Sequence, residues 1–267
     1  MPVHKNQTAV HYLWPKLARE LEAVAEREPV LASQVSRLVK LQSTFEQSLA
    51  LRLAQGLTFP DMSVEHVSDL LIDSMRDWPD IAKGAAQDLM AILANDPASR
   101  TFAQAFLSYK GFHAVQVARV AHAFWCDGRE DLAVWLSNRA SCAFGADIHP
   151  AARLGVGIML DHGSGIVIGE TAVVEDGVTI MQNVTLGGTG KVPGDRHPKV
   201  RQRVMIGAGA NIIGNIELGA FSKIGAGSVV LDDVPAYCTV AGIPAKVVRV
   251  HQPSKFKTEN SYANCVC

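Results

Sequence analysis

Val204-Met205-Ile206-Gly207-Ala208-Gly209-Ala210-Asn211-Ile212-Ile213-Gly214-Asn215-Ile216-Glu217-Leu218-Gly219 places Ile206, Ile212 and Leu218 six residues apart. The count continues to Ile224 and Val230 and reaches back to Val200. Further upstream, Ile148, Leu154, Leu160, Ile166, Ala172, Val178 and Val184 keep the same interval. An α-helix repeats every 3.6 residues and a half-buried strand every two, so neither sustains a period of six. A hexapeptide repeat instead predicts a parallel β-helix, in which each short strand ends at a sharp corner and the aliphatic residue points into a triangular prism. Glycine and small polar residues turn the corners. Small residues two places before the aliphatic ones, such as Val204, Ala210, Ser222 and Ser228, suit a crowded interior.

The repeat is interrupted once. From Val184 the frame should continue at 190 and 196 but restarts at Val200, so about ten residues are extra and GGTGKVPGDRHPK (187–199) must loop out. The loop carries Lys191, Asp195, Arg196, His197 and Lys199, and a loop on a rigid scaffold is a common place for binding groups. Past Arg249 the periodicity ends, and the polar stretch 251–267 is expected to be a flexible tail.

Glycine divides the chain: 18 of its 22 glycines lie between Gly145 and Gly242. The first half has helical spacing instead, with Leu13, Leu17, Leu21 and Val24, then Val35, Leu38, Val39, Phe45 and Leu49. Val64, Val67, Leu70 and Leu71 begin a third pattern, and Ile81, Ala85, Leu89 and Ile92 a fourth that Asn95-Asp96-Pro97 ends. Two more helices are expected around Asp127-Gly128. The fold class is thus α + β: an all-α helical domain over 1–140, then a parallel β-helix over 141–250, which is expected to be left-handed.

A net charge of −1 over 267 residues offers no footprint for a polyanion, so nucleic acid is not expected. No apolar run approaches the roughly 18 to 20 residues of a membrane span, and the N-terminus lacks a signal-peptide pattern, so a cytoplasmic protein without membrane contact is expected. The cysteines Cys126, Cys142, Cys238, Cys265 and Cys267 have no zinc-ligand spacing and suit free thiols in a reducing compartment; Cys265 and Cys267 belong either to an inert tail, the simpler reading, or to a metal-binding or redox pair.

His162 follows inward-pointing Leu160 by two positions, which puts it at a corner on the outside of the prism. Asp147 precedes it by fifteen residues, close to the eighteen of one coil, so the two should lie on adjacent turns. A carboxylate bonded to that imidazole would fix its tautomer and leave the other nitrogen as a general base for a hydroxyl. No serine or cysteine sits in a nucleophile elbow, and no phosphate-binding loop is present, so direct transfer without a covalent intermediate is the natural scheme.

The strings Asp-Ile-His-Pro-Ala-Ala (147–152), Gly-Ile-Met-Leu-Asp-His (157–162), Gly-Glu-Thr-Ala-Val (169–173), Val-Thr-Leu-Gly-Gly-Thr-Gly-Lys (184–191) and Gly-Asp-Arg-His-Pro-Lys (194–199) resemble bacterial serine acetyltransferases. The likeness runs from Glu28-Pro29-Val30-Leu31-Ala32-Ser33 to Lys246 and includes Tyr109-Lys110-Gly111-Phe112-His113-Ala114. It implies acetyl transfer from acetyl-CoA to the hydroxyl of L-serine, giving O-acetylserine for cysteine biosynthesis, without a metal. It implies His162 as general base, Asp147 as its orienter, Asp96 and Asp161 as ligands of the serine ammonium, and Arg196 and His197 as ligands of its carboxylate. It places acetyl-CoA along Gly188, Thr189, Ala208, Gly209 and Lys223, in a groove between neighbouring subunits, with an amide near Gly188 as oxyanion donor. It further implies a homotrimer, paired by the helical half into a hexamer, and feedback inhibition by L-cysteine in the serine site.

Two departures stand out. Family members that dock into O-acetylserine sulfhydrylase have a tail ending in isoleucine, whereas this chain ends Asn264-Cys265-Val266-Cys267, so the resemblance does not carry that partnership over. The family's Asp-His-Ala-Thr-Gly reads Asp-His-Gly-Ser-Gly here, a small-for-small exchange that should leave the base in place. Rival functions keep the β-helix: an acetyltransferase for a sugar or antibiotic hydroxyl, a metal-dependent carbonic anhydrase, or a scaffold without catalysis. His149, His162 and His197 lack the closely spaced ligand pair that the metalloenzyme would need.

Overall fold

The computed structural model describes residues 7–57, 62–191 and 193–253. The expected tail beyond 253, with Cys265 and Cys267, lies outside the described residues. The chain forms two compact units, Met1–Tyr109 and Lys110–Cys267.

The first unit contains α1 (Gln7–Arg27), α2 (Ala32–Val39), α3 (Phe45–Leu57), α4 (Val64–Asp77), α5 (Asp80–Asn95) and α6 (Phe102–Ser108). The apolar stripe of α1, Leu13, Leu17 and Leu21, is fully buried, as are Leu38, Phe45, Leu49, Leu53, Leu71, Leu89 and Phe106. The spacing from Val35 to Leu49 breaks into two helices because Thr44 starts a new one. Its hydroxyl accepts from the Gln47 N–H at 3.3 Å, as an N-cap does, while the Gln47 side chain reaches back to accept from the Ser43 N–H at 2.9 Å. The short α6, which the spacing did not separate, begins at Thr101, whose hydroxyl accepts from the Gln104 N–H.

The second unit begins with α7 (Lys110–Cys126) and α8 (Glu130–Phe144), which ends at Gly145 in the left-handed conformation that closes a helix without a Cβ clash. Strands then wind into three parallel faces. Face I stacks β1 (Ala146–Ile148), β4 (Ile166–Ile168), β7 (Thr185–Gly187), β10 (Asn211–Ile213) and β13 (Val229–Val230). Face II stacks β2 (Arg153–Leu154), β5 (Val173–Val174), β8 (Lys199–Val200) and β11 (Glu217–Leu218). Face III stacks β3 (Met159–Leu160), β6 (Thr179–Ile180), β9 (Met205–Ile206), β12 (Lys223–Ile224) and β14 (Cys238–Gly242), closed by antiparallel β15 (Ala245–Val250). The chain passes from face I to II to III and back to I, so the prism has three edges.

The strand register corrects the hexapeptide count in two places. Ile148 pairs with Ile168, twenty residues on, whereas Ile168 pairs with Leu186, eighteen on, so the first coil holds two extra residues. They fall after Leu160, in the Asp161–Gly165 corner. The count of six survived the slip because each rung buries two residues, two apart. Ile166, Ala172, Val178 and Val184 are buried two places before the inward Ile168, Val174, Ile180 and Leu186. Val173 pairs with Lys199, twenty-six on, so the second insertion holds eight residues rather than ten.

Candidate functional site

Asp161 and His162 lie on the III/I edge, in the inserted corner between β3 and β4. His162 adopts φ 57°, a left-handed value that recurs at Asn183, Arg203, Phe221 and Tyr237. It is therefore the corner conformation of this prism rather than strain peculiar to a site. The imidazole is 73% exposed, with Nε2 3.8 Å from Asp161 Oδ1.

The corner is held from several sides. Gly165 N–H donates to the Gly145 carbonyl at 2.8 Å, the Asn183 N–H donates to the Ser164 carbonyl at 2.8 Å, and Lys110 Nζ donates to Ser164 Oγ. Gly111, in the first turn of α7, lies so close that a Cβ there would overlap the Leu160 carbonyl, and one at Gly163 would come within 2.9 Å of Gly111 Cα. Glycine at 111 thus lets α7 rest directly on the backbone that carries His162.

Arg196 and His197 lie on the I/II edge, where the long insertion rejoins β8. Thr171 organises them. Its hydroxyl accepts from the Arg196 N–H at 3.0 Å and the His197 N–H at 3.1 Å, and lies 2.9 Å from His197 Nδ1. The Thr171 N–H also donates to Nδ1, at 3.2 Å. Nδ1 is therefore the acceptor, and the ring carries its hydrogen on Nε2. Burial, and then the adjacent Arg196 charge, hold the His197 pKa below its ordinary value, which favours that neutral form. A side chain at Gly169 would collide with the His197 ring.

Arg196 Nη2 donates to Glu170 Oε2 at 2.5 Å, and Nη1 donates to the Gly194 carbonyl at 3.0 Å. That bond from Arg196 holds the Glu170 carboxyl below its usual range. Lys199 Nζ ties the base of the loop, donating to the Thr171 carbonyl at 3.0 Å, the His197 carbonyl at 2.6 Å and Asp195 Oδ1 at 2.6 Å. Glu170, Thr171 and Lys199 had no assigned role in the sequence. Glu170 and Thr171 stand about twenty-six residues before the loop residues Arg196, His197 and Lys199 that they meet, which is not a repeat length, and only the coil stacking brings them together.

Asp147 is exposed at the centre of β1, opposite Val167. Among the described residues no hydrogen bond or ion pair joins it to His162. His149, one turn below Glu170 on the I/II edge, accepts at Nδ1 from the Ala151 N–H at 3.1 Å, and burial holds its pKa down. Asp96 belongs to the first unit. Its carboxylate accepts from the Ala98 N–H at 2.8 Å and the Tyr109 hydroxyl at 3.0 Å.

The remaining candidates divide between the same two edges. Gly188 and Thr189 leave β7 on the I/II edge, and a Cβ at Gly188 would stand 3.1 Å from Arg196 Cγ. Ala208 and Gly209 turn the III/I edge above His162, with the Gly209 N–H donating to the Gln182 carbonyl and the Ala208 carbonyl accepting from Gly227. Lys223 opens β12 on face III and is exposed. Along one chain, β4 separates the Asp161–His162 corner from the Glu170–Arg196 cluster. At about 3.3 Å per residue the separation is on the order of 15 Å, too far for one small amino acid to span. Among the described residues no group of three or more His, Cys, Asp or Glu could hold a metal ion, and no helix is long and apolar enough to cross a membrane.

Residues 13–117 match the family model described as serine acetyltransferase, N-terminal. The chain is 48% identical to the serine acetyltransferase of Salmonella typhimurium over 236 residues, 88% of this chain and 86% of that protein. Its fold resembles the Brucella abortus serine acetyltransferase solved with coenzyme A, with a TM-score of 0.87 and 45% identity over 90% of this chain and 96% of that one. It also resembles a serine acetyltransferase in complex with cysteine, with a TM-score of 0.88 and 45% identity over 92% of this chain and 95% of that one.

Proposed function

The chain belongs to the serine acetyltransferases, a family of acyltransferases, and we propose that it moves acetyl from acetyl-CoA to the hydroxyl of L-serine by direct transfer. The observation that carries the residue roles is the division of the ligand set. An anion and an imidazole, Asp161 and His162, share the III/I edge, while a fixed cation and a neutral N–H donor, Arg196 and His197, share the I/II edge. A zwitterionic amino acid needs both kinds of partner, and two chains packed edge to edge supply them.

In this scheme Arg196 and His197 of one protomer hold the serine carboxylate, and Asp161 of its neighbour holds the ammonium, with Asp96 as a second anion. His162 takes the hydroxyl proton as the oxygen attacks the thioester carbonyl, and the same proton leaves with the CoA thiol. Asp147 orients His162 once the exposed ring turns toward β1 in the ternary complex. An amide near Gly188 receives the developing oxyanion. Acetyl-CoA follows the groove between protomers, past Gly188 and Thr189 on one edge and Ala208, Gly209 and Lys223 of the other. Since the Gly209 N–H is already bonded to Gln182, the Ala208 amide is the donor on that corner.

A trimer is the smallest closed ring that pairs each III/I edge with a neighbour's I/II edge, and pairing of trimers through the helical half gives the hexamer. L-cysteine shares serine's ammonium and carboxylate and would compete at the same ligands, which the cysteine complex of the related enzyme supports. The place of action is the cytoplasm.

The test is release of CoA thiol from acetyl-CoA with L-serine, chloramphenicol, a galactoside or no acceptor. Signal with serine alone is expected. Turnover of another acceptor with serine silent would keep the fold and overturn the ligand assignments. A mixture of His162→Ala and Arg196→Ala chains, each inactive alone, should recover about a quarter of wild-type activity on reassembly, because one site in four then carries both residues. No recovery would place the whole site in one chain.

A further inference from the structure

We propose that Cys126 is a thiol-exchange site, activated by His122, that accepts a small-molecule disulfide outside the acetyl-transfer site. His122 Nδ1 lies 2.8 Å from the Pro150 carbonyl oxygen. A carbonyl can only accept, so this nitrogen carries a proton in every charge state of the ring. In the neutral ring Nε2 is therefore the lone-pair nitrogen, and it lies 3.6 Å from Cys126 Sγ. A base held in one tautomer by a third group, with its free nitrogen on a nucleophile, is the arrangement that activates cysteine. The thiol is exposed at the last residue of α7, and nothing in the acetyl-transfer scheme uses it.

The contrast within the chain is Cys142 on α8. It is also exposed but has no histidine in contact among the described residues. Cys238 is buried. Exposure alone would treat Cys126 and Cys142 alike, whereas the His122 pairing separates them.

The exchange balances without an outside oxidant. The Cys126 proton passes to His122 Nε2, and the sulfur attacks one sulfur of the disulfide. A new S–S bond forms as the old one breaks, and the leaving thiolate takes the proton back from His122. The products are a mixed disulfide on Cys126 and one free small thiol. Asp127, Glu130 and Asp131 follow Cys126 directly in the chain, while the Arg129 guanidinium between them sits 4.7 Å above the Phe124 ring. This acidic setting favours a zwitterionic disulfide over a polyanionic one. The same histidine grips the Pro150 corner, which follows the strand carrying Asp147, and Trp125 lies edge-on to His149 at 5.3 Å. A mixed disulfide at Cys126 therefore bears on the first coil of the β-helix.

The experiment incubates the full-length protein at neutral pH with cystine or with glutathione disulfide, blocks the remaining thiols at intervals and maps modified peptides by mass. Cys126 is expected to form the mixed disulfide about tenfold faster than Cys142, as a base-activated thiol does, and the faster disulfide names the source. His122→Gln, which keeps a donor for the Pro150 carbonyl but offers no ring base, should bring Cys126 down to the rate of Cys142. Equal labelling of Cys126 and Cys142 in both arms overturns the proposal in the unsubstituted chain, whether or not the variant folds. An unchanged Cys126 rate in folded His122→Gln overturns it as well.

Discussion

The two edges of the prism handle their candidate residues in opposite ways. On the III/I edge the mounting is rigid and the working side chain is free: the corner is fastened to Gly145, Gly111 and Asn183, yet the His162 ring is 73% exposed. On the I/II edge the backbone is a long insertion and the side chains are fixed. His197 is buried, and Arg196 is bound to Glu170. The difference suits the proposed roles. A base must reach a proton that is present only with substrate, and apo geometry is often loose there, whereas a carboxylate clamp binds best when its donors are already ordered.

The largest effect should come from the free side chain. His162→Ala should lower turnover by a factor on the order of 10² to 10⁴, the range for loss of a general base, with CoA affinity little changed. Wild-type turnover in the folded variant would remove His162 from that role.

The mounting comes next. Gly111→Ala drives a Cβ into the Leu160 carbonyl, and a clash against backbone is relieved only by moving α7 or the His162 corner. A loss of stability of about 1–3 kcal/mol is expected, as for other overpacked sites, together with lower turnover. An unchanged melting temperature and rate would show that the close approach is dispensable.

The clamp should respond in binding rather than in chemistry. Thr171→Val removes the hydroxyl that accepts from the Arg196 and His197 amides, and each donor left unsatisfied where buried costs about 1–3 kcal/mol. A rise in the KM for serine on the order of tenfold is expected with kcat less affected, and Thr171→Ser should restore it. If kcat falls and KM holds, Thr171 belongs with the base and the two edges are not separate in function.

These contrasts also mark what was legible in the residues. The period of six identified the β-helix and the out-looped insertion because each rung repeats a side chain against the same interior wall. The same regularity hid the two-residue slip after Leu160, since buried Ile166 and Ala172 stand where the uninterrupted count expected the inward residues. Asp161, His162, Arg196 and His197 stood out as polar groups in aliphatic or glycine-rich surroundings. Their supports did not. Thr171 and Glu170 are separated from the loop by a full coil plus an insertion of arbitrary length, and Gly111 is one glycine in a helix until the strand beneath it is in place. The orienting bond from Asp147 was inferred from a coil of eighteen residues, and that coil has twenty.

The smallest expected effect is that of pH on stability, and it too falls on the clamp edge. Burial holds the His149 and His197 pKa values below the ordinary 6.5, so the folded protein favours their neutral forms. The unfolded chain gains these protons first as pH falls through 6.5, so their contribution is fully present above that value and is lost progressively on descent toward the folded-state pKa. Glu170 has the other chemistry and the same sign. Its carboxylate is favoured by Arg196, so its contribution is present above its ordinary 4.5 and is lost as pH falls below it. The melting temperature should therefore be level above about pH 7, decline from pH 6.5, and decline further below 4.5. His197→Gln should make the first decline shallower, because glutamine has no proton to gain and His149 alone then contributes. A first decline left unchanged by His197→Gln would show that this buried imidazole does not couple pH to the packing of the I/II edge, and would undo the division between a fixed clamp and a free base.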